Sequence, residues 1–363
     1  MKKSRKMDCI PLQLTDNLSR RYPGCWEAIE DFREYSEKDG LPGWDKNICY
    51  IPIAATIAIV TNGEGDMPSL FYDSEKILDA ALMAAVAPWR QYKQIFEFAP
   101  EIESLLVEQI DDSEIPVDVL RNLPYPSIYI KTNTIDSLDG AFVHIEHDVN
   151  TGRMELRLTL IGKDAQFIYP VPIHLIPGGT IKDGIDATKK ESKRVVDSLD
   201  IGQIMMKKVS EIQSRETTEF LFYLSIPFVQ FVLYLCAQNS EVQPDPEQEK
   251  IVQIPKSKEL IQDNYREIRT YQCGDLTARQ IRVYESQKDR VNTTYIVQER
   301  NGIGTMKSPH VRRGHWHHYW AKKEGEKALI LKWQPPTFVH PEKLNEGPGV
   351  QINKVISDHN DIN

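Results

Sequence analysis

A stretch of eighteen residues at positions 220–237, FLFYLSIPFVQFVLYLCA, is almost entirely apolar. Its length is close to the ~20 residues with which a helix crosses a bilayer. Whether lipid or a protein core surrounds this run therefore decides whether the chain is a membrane protein. Ser225, Pro227 and Gln230 interrupt the run, Glu219 precedes it, and no second run of this kind occurs. We therefore predict a helix buried in a protein core, kinked or started at Pro227, and no membrane contact.

Length and composition agree with a core that can enclose such a helix. The chain has 363 residues, of which 40% are hydrophobic and 27% are charged, so we expect one large domain or two to three smaller ones. Its five cysteines are far apart and no Cys-x-x-Cys pair occurs. This pattern is typical of a reducing compartment and not of a disulfide framework or a zinc ribbon. Polar side chains follow the basic start of the chain, so we expect no signal peptide and predict a cytoplasmic location.

Periodicity predicts an α+β fold, with a helical N-terminal part followed by a mixed or antiparallel sheet with packed helices. The predicted divisions are a helical region at 1–118, an α+β region at 119–240 that includes the buried helix, a β-rich region at 241–343 and a flexible tail at 344–363. Thr151 and Gly152 are expected to form a hairpin turn. We expect helices at 17–37, 73–86, 92–110 and 189–213, a helix or strand at 48–60, and strands at 127–131, 141–149, 154–161, 167–176, 267–272, 280–284, 294–298, 311–320 and 328–332.

Two groups of charged residues are expected at the surface. Positions 101–118 carry seven acidic residues and no basic one, which predicts a solvated acidic face. His144 and His147 lie near the end of a predicted strand and form no evident pair of metal ligands. We therefore expect both histidines to be surface residues.

Positive charge is concentrated in one C-terminal segment. Positions 300–333 hold eight Lys or Arg residues and two Glu, a local charge of +6 in a chain whose net charge is −9. The remaining residues carry −15, which excludes a uniformly basic nucleic-acid coat protein but allows a local basic site. Within the segment, SPHVRRGHWHHYW at 308–320 holds four of the nine histidines and two of the six tryptophans.

If positions 311–320 form a strand, their side chains alternate between two faces. One face carries Arg313, His315, His317 and Tyr319, and the other carries Arg312, Trp316, His318 and Trp320. His315 and His317 are the candidate acid and base of a ribonuclease, because imidazole transfers protons near neutral pH. Arg313 would hold the phosphate through two hydrogen bonds, with Tyr319 in support. Flanking aromatic rings would stack on the bases of single-stranded RNA.

Other interpretations of this cluster stay open. His315 and His317 on one strand face would suit zinc, but no spacing marks a third ligand, so neither a metal nor another cofactor is predicted. Trp316 and Trp320 would alternatively form a core, with the Arg and His residues as hydrogen-bonded spacers. Finally, Trp, Tyr and Arg are the usual anchors of interfaces with a peptide or protein partner.

Two adjacent motifs resemble the C-terminal signature of a known family. PHVRRGHWHHYW at 309–320 and KWQPPTFV at 332–339 are similar to the pattern of the second type V-A anti-CRISPR family described. The resemblance marks no catalytic residue. Residues of the two motifs that we expect to contact RNA or a partner are His310, Arg312, Arg313, His315, Trp316, His317, Tyr319, Trp320 and Trp333.

The resemblance also implies a function and partners. Members of the family are carried by phages and other mobile elements, and they lower production of the type V-A CRISPR effector nuclease. The implied mechanism is recognition of the nascent effector polypeptide, with its mRNA or the translating ribosome, and loss of that mRNA in the bacterial cytoplasm. We therefore expect a non-enzymatic inhibitor. A ribonuclease or RNA-binding regulator of a mobile element, and an interaction protein with the cluster in its core, are the alternatives.

Overall fold

A computed structural model describes residues 9–35, 43–63, 74–109, 114–198, 215–244, 268–295, 310–323 and 326–339. Helices in these ranges are α1 (Ile10–Arg21), α2 (Cys25–Tyr35), α3 (Ile53–Val60), α4 (Ser74–Tyr92), α5 (Pro100–Val107), α6 (Ile181–Ser198), α7 (Arg215–Cys236) and α8 (Asp275–Tyr295). Strands are β1 (Gln94–Phe98), β2 (Ser127–Lys131), β3 (Leu138–Asp148), β4 (Arg153–Gly162), β5 (Ile168–His174), β6 (Val242–Pro244), β7 (Arg269–Cys273), β8 (His310–Arg312), β9 (His315–Lys323), β10 (Glu326–Gln334) and β11 (Thr337–Val339).

In the described part of the chain, the central sheet has seven strands in the order β5-β4-β3-β2-β1-β7-β6. Strand β1 runs parallel to β2 and to β7, whereas the other neighbouring pairs are antiparallel. The predicted α+β class with a mixed sheet is confirmed. This one sheet takes strands from each of the three structured regions predicted from the sequence.

The centre of the sheet corrects two predictions. A helix is expected at 92–110, but Gln94–Phe98 forms β1 and the helix α5 begins only at Pro100. A strand that has neighbours on both sides and is covered on both faces lacks the alternation that separates a strand from a buried helix. The expected strand at 280–284 instead lies in helix α8, where Ile281 and Tyr284 are buried three residues apart.

Side chains of the sheet alternate between two layers of core. Phe142 of β3 packs edge-on against Trp89 and Tyr129, in the layer formed with helices α1 to α4. Its neighbour Val143 lies in the opposite layer, formed with α5, α7 and α8. The strand at 127–131 and the turn between β3 and β4 occur as predicted, and the expected helix at 189–213 corresponds to α6, with positions beyond 198 outside the described residues.

The apolar run at 220–237 forms most of helix α7 and lies in the core, as predicted. Phe228, Phe231 and Leu233 have no exposed surface, and the ring of Phe231 stacks on Phe98 of β1 with centroids 4.9 Å apart. The helix begins at Arg215 and continues through Pro227. Within the described residues, no helix combines the length and apolar character needed to cross a membrane.

Candidate partner-binding hairpin

The C-terminal motifs lie in one antiparallel arrangement of strands, residues 310–323 and 326–339, which is interrupted along its length. Strand β9 pairs with β10, and β8 pairs with β11 in the same register. Arg313 and Gly314 separate β8 from β9, and they lie opposite Pro336 and Pro335. Because proline has no N–H to donate, the ladder of hydrogen bonds does not continue across these positions. We call residues 310–323 and 326–339 together the C-terminal hairpin.

Gly314 lets the hairpin pack closely at this interruption. A Cβ atom at position 314 would lie 2.9 Å from the ring of Trp333, closer than side chains pack. Its carbonyl oxygen accepts a 2.6 Å hydrogen bond from Nε2 of Gln109, just after α5. The motif therefore needs glycine at this position because a side chain would not fit, and not because the backbone angle is unusual.

Two tryptophans fasten the C-terminal hairpin to α7. The indole Nε1 of Trp316 donates a 2.9 Å hydrogen bond to Oε1 of Gln230, and both side chains are buried. Trp333 packs edge-on against Tyr234, with ring centroids 5.3 Å apart. Residues four apart lie on the same face of a helix, so α7 presents both contacts to the hairpin from one side.

The residues that follow α7 cover the outer edge of β10. The backbone N–H of Trp333 donates to Oδ1 of Asn239 at 2.9 Å, and Nδ2 of Asn239 donates to the carbonyl of Trp333 at 2.7 Å. The backbone N–H of Gln238 donates to the carbonyl of Leu331 at 2.9 Å. The apolar run and its C-terminal extension thus hold the hairpin along most of β10.

The opposite side of the C-terminal hairpin is exposed and carries His315 and His317. His315, His317 and Tyr319 are exposed and alternate along β9, and the rings of His317 and Tyr319 are 6.3 Å apart. Lys332, the cross-strand partner of His317, places Nζ 5.7 Å from the centre of the Tyr319 ring, within the range of cation–π attraction. We call these four residues the exposed face. Trp320 lies on the other side of β9 and is 61% exposed.

The two arginines of the motif are also exposed, but strand geometry does not align both with the histidines. Arg312 ends β8, and Arg313 lies in the interruption before β9. The Nη2 atom of Arg313 is 4.0 Å from Oε2 of Glu108. The predicted sharing of one face therefore holds for His315, His317 and Tyr319. His310 begins β8, and its side chain lies outside the described residues.

Trp316 and Trp333, which the sequence predicts to contact RNA or a partner, lie in the core. Their exposed fractions are 9% and 3%, because both rings lie against α7. They serve to pack the hairpin on the helix, as the core-forming interpretation of Trp316 proposes. That interpretation does not extend to Trp320, which is exposed.

The chemistry of the exposed face is that of two accessible imidazoles near a phenol and an ammonium group. In the part of the chain that the structure describes, no carboxylate forms an ion pair with His315 or His317. A catalytic base is usually oriented by a third group. Nor do the described residues group three or more His, Cys, Asp or Glu side chains as a metal site.

A second charged group is buried where surface residues were expected. His144 is 2% exposed and Glu146 has no exposed surface, with His144 Nε2 and Glu146 Oε2 3.5 Å apart. The carboxylate of Glu146 accepts a 2.8 Å hydrogen bond from the backbone N–H of Ile53, in the first turn of α3, a favourable position for an anion. The expectation was wrong for His144, because α3, 93 residues away from Glu146 in the sequence, covers this end of β3, whereas His147 is half-buried.

This buried group continues across β4 and β5. Glu155 accepts hydrogen bonds of 2.8 Å from Arg153 and 2.7 Å from Arg157. On β5, the Nε2 atom of His174 lies 3.3 Å from the carboxylate of Glu191 on α6. Burial lowers the pKa of His174, and the charge of Arg153 lowers it further. These contacts join α6 to the sheet, and no local sequence pattern marks them.

The acidic segment at 101–118 is only partly solvated. Glu103 has no exposed surface and accepts hydrogen bonds from the loop at 132–134. Glu101 forms a 2.8 Å ion pair with Arg282 of α8. Part of the negative charge therefore binds other parts of the same protein.

The fold and the site define the class: an α+β protein with helices on both sides of a mixed sheet and an exposed, basic and aromatic hairpin docked on a core helix. The chain belongs to the anti-CRISPR type V subtype A2 family (AcrVA2-like), whose model matches residues 96–341. The crystal structure of AcrVA2 is similar in fold, with a TM-score of 0.56, 16% identity, and coverage of 90% of this chain and 97% of that chain. Comparison with curated proteins gives no match. Family membership supports an anti-CRISPR function, and the matched region includes the central sheet from Phe96 onwards, α7 and the C-terminal hairpin.

Proposed function

We propose that this protein lowers production of the type V-A CRISPR effector by recognising its nascent polypeptide and promoting loss of its mRNA. The setting is the cytoplasm of a bacterial host that carries a phage or another mobile element. One observation supports the exposed face as the binding site. His315, His317, Tyr319 and Lys332 lie outside the core and within the region matched by the family model.

The build of the C-terminal hairpin favours recognition over catalysis. Its buried side is fixed by Trp316 and Trp333, so the exposed face is presented on a rigid support. Aromatic and Arg side chains in such a setting are the usual anchors of protein interfaces. Among the described residues, no carboxylate orients the imidazole of His315 or His317, although general acid–base catalysis commonly uses such a group.

The same surface suits a place near the translating ribosome. The C-terminal segment has a local charge of +6, and Arg312 and Arg313 are exposed beside the exposed face. Contacts with RNA phosphate through such residues would weaken steeply as salt concentration rises. The acidic segment at 101–118 is the poorer candidate for the polypeptide, because Glu101 and Glu103 already have partners within the protein.

Co-purification from cells that translate the effector tests the proposal. The wild-type protein should retain effector-derived polypeptide, and Arg313→Ala should retain less. Arg279→Ala is the matched control, because Arg279 is an exposed arginine on α8 that pairs with Asp275. Absence of any effector fragment from the wild-type protein, together with an unchanged effector transcript, would overturn the proposal.

A ribonuclease remains the second candidate, because the rings of His317 and Tyr319 are 6.3 Å apart on one exposed face. In this case His315 and His317 transfer protons, Arg313 holds the phosphate and Tyr319 supports it. Replacing either histidine by Ala should lower the rate of RNA cleavage by ~10²–10⁴. Unaltered cleavage in both variants rejects this mechanism.

A further inference from the structure

The two edges of the C-terminal hairpin differ. On the outer edge of β10, the backbone groups of Leu331 and Trp333 are bonded to Gln238 and Asn239. These groups therefore point away from β9. In an antiparallel pair, successive residues alternate between bonding the partner strand and pointing away from it. The directions of all the remaining backbone groups in the pair follow from this alternation.

The alternation defines what the outer edge of β9 presents. Leu331 and Trp333 pair with His318 and Trp316, so these two residues also direct their N–H and C=O groups away from the ladder. Trp320, two residues further, does the same. Among the described residues, the sheet of β9 and β10 has two strands, and no hydrogen bond to these outward groups of β9 occurs. Such an edge is a template for another strand.

The side chains beside this edge indicate what an added strand would carry. His317 and Tyr319 flank the edge on one side, and Trp320, 61% exposed, flanks it on the other. Arg312 and Arg313 lie at the start of β9, in the segment whose local charge is +6. An extended segment with acidic side chains is complementary to this charge.

We propose that the outer edge of β9 binds an extended acidic segment of polypeptide as an added strand. This inference rests on the proposed function, because the segment would belong to the nascent effector polypeptide. Strand addition takes affinity from main-chain hydrogen bonds and selectivity from alternate side chains. The edge of β10 provides a parallel within the protein, since the amide of Asn239 bonds both backbone groups of Trp333 as a neighbouring strand would.

Substitution of His318 tests the edge directly. His318→Pro removes the outward N–H while leaving the bonds to β10, and His318→Ala removes the same side chain but keeps the N–H. Labelled peptides that tile the effector sequence are titrated against both variants, with thermal unfolding as the check on folding. We expect His318→Pro to weaken the best acidic peptide by about tenfold relative to His318→Ala, the effect of one main-chain hydrogen bond. Equal affinities of the two variants would overturn the proposal.

A second measurement uses the wild-type protein, so it does not depend on a variant that folds. N-methylation of the bound peptide, one backbone nitrogen at a time, should reduce affinity at every second position. Binding without this period would overturn strand addition and leave recognition of the polypeptide intact. Absence of binding by every peptide would overturn both.

Two other partners of the outer edge of β9, RNA and a second copy of the chain, would give different results. An RNA oligonucleotide would contact the side chains of the exposed face and not the backbone of the edge. If the protein binds RNA more tightly than any peptide, and His318→Pro and His318→Ala bind RNA equally, the proposal of a peptide is contradicted. A second copy of the chain would pair β9 with β9. Dimerisation of the wild type that His318→Pro abolishes would therefore overturn the assignment to an acidic peptide.

Discussion

Trp316 donates its indole hydrogen to the amide oxygen of Gln230 across 2.9 Å, and so joins the C-terminal hairpin to the helix at the centre of the fold. Gln230 is one of the three residues that interrupt the apolar run at 220–237. Gln230, one of the polar residues that favour a core helix over a membrane span, therefore has a specific structural role in the folded protein. It satisfies a buried donor and fixes the position of the exposed face.

Removing this hydrogen bond should destabilise the protein. Trp316→Phe keeps an aromatic ring but leaves the buried amide of Gln230 without its donor, which costs ~1–3 kcal/mol of the free energy of unfolding. Urea denaturation measures the change. Trp320→Phe is the control, because Trp320 is 61% exposed and should change stability by less than ~0.5 kcal/mol. Equal effects of the two substitutions would contradict the packing described for Trp316.

Gly314→Ala should also destabilise the protein, by ~1–3 kcal/mol, because the added methyl group meets the ring of Trp333 at 2.9 Å. The near-ultraviolet circular dichroism of the tryptophans should change with it. Arg313→Ala, at the exposed neighbouring position, should leave both stability and spectrum unchanged. A Gly314→Ala protein as stable as the wild type would show that the turn is looser than its geometry implies.

Amide hydrogen exchange should alternate along β9. The N–H groups of His317 and Tyr319 point towards β10 and should exchange slowly, whereas those of His318 and Trp320 point outward and should exchange faster. Two-dimensional NMR of the protein without any partner measures these rates. Uniform protection along β9 would mean that its outer edge is already covered.

Stability should fall at mildly acidic pH, in part because of His174. Burial holds the pKa of His174 below its unfolded value of ~6.5. Both states are neutral above that value. As pH falls below it, the unfolded chain takes up a proton first, so the free energy of unfolding decreases until the folded protein is protonated as well.

Urea denaturation between pH 7.5 and 5.5 checks this prediction. His174→Gln should lose less stability over that range than the wild type. Glu155, Glu191, Arg153 and Arg157 remain in both proteins and contribute equally to the comparison. If His174→Gln and the wild type lose the same stability, the buried imidazole does not couple folding to pH.

Local sequence patterns correctly predicted those elements in which the spacing of apolar residues decides which side chains are buried. The strand at 127–131 and the helix from the apolar run occur as predicted, and so does the alternation of His315, His317 and Tyr319 along β9. Strand β1 was missed because it is central and covered on both faces, so its short sequence QIFEF lacks the alternation that separates a strand from a buried helix.

Contacts between distant parts of the chain account for the other failures. Position 146 is buried because α3 covers it, and position 333 is buried because Tyr234 packs on it. Neither neighbour is near in sequence. The order of the sheet and the difference between the two hairpin edges depend on such contacts as well, since Asn239 is 94 residues from Trp333.

Loss of the effector mRNA that depends on its translation is the most direct test of the central claim. The measurement compares two effector transcripts in cells that produce this protein, one intact and one that differs only by a disabled start codon. We expect the intact transcript to decline and the untranslated one to persist, and we expect Arg313→Ala, but not Arg279→Ala, to weaken the decline. Equal decline of both transcripts, or no decline of either, would contradict recognition of the nascent polypeptide.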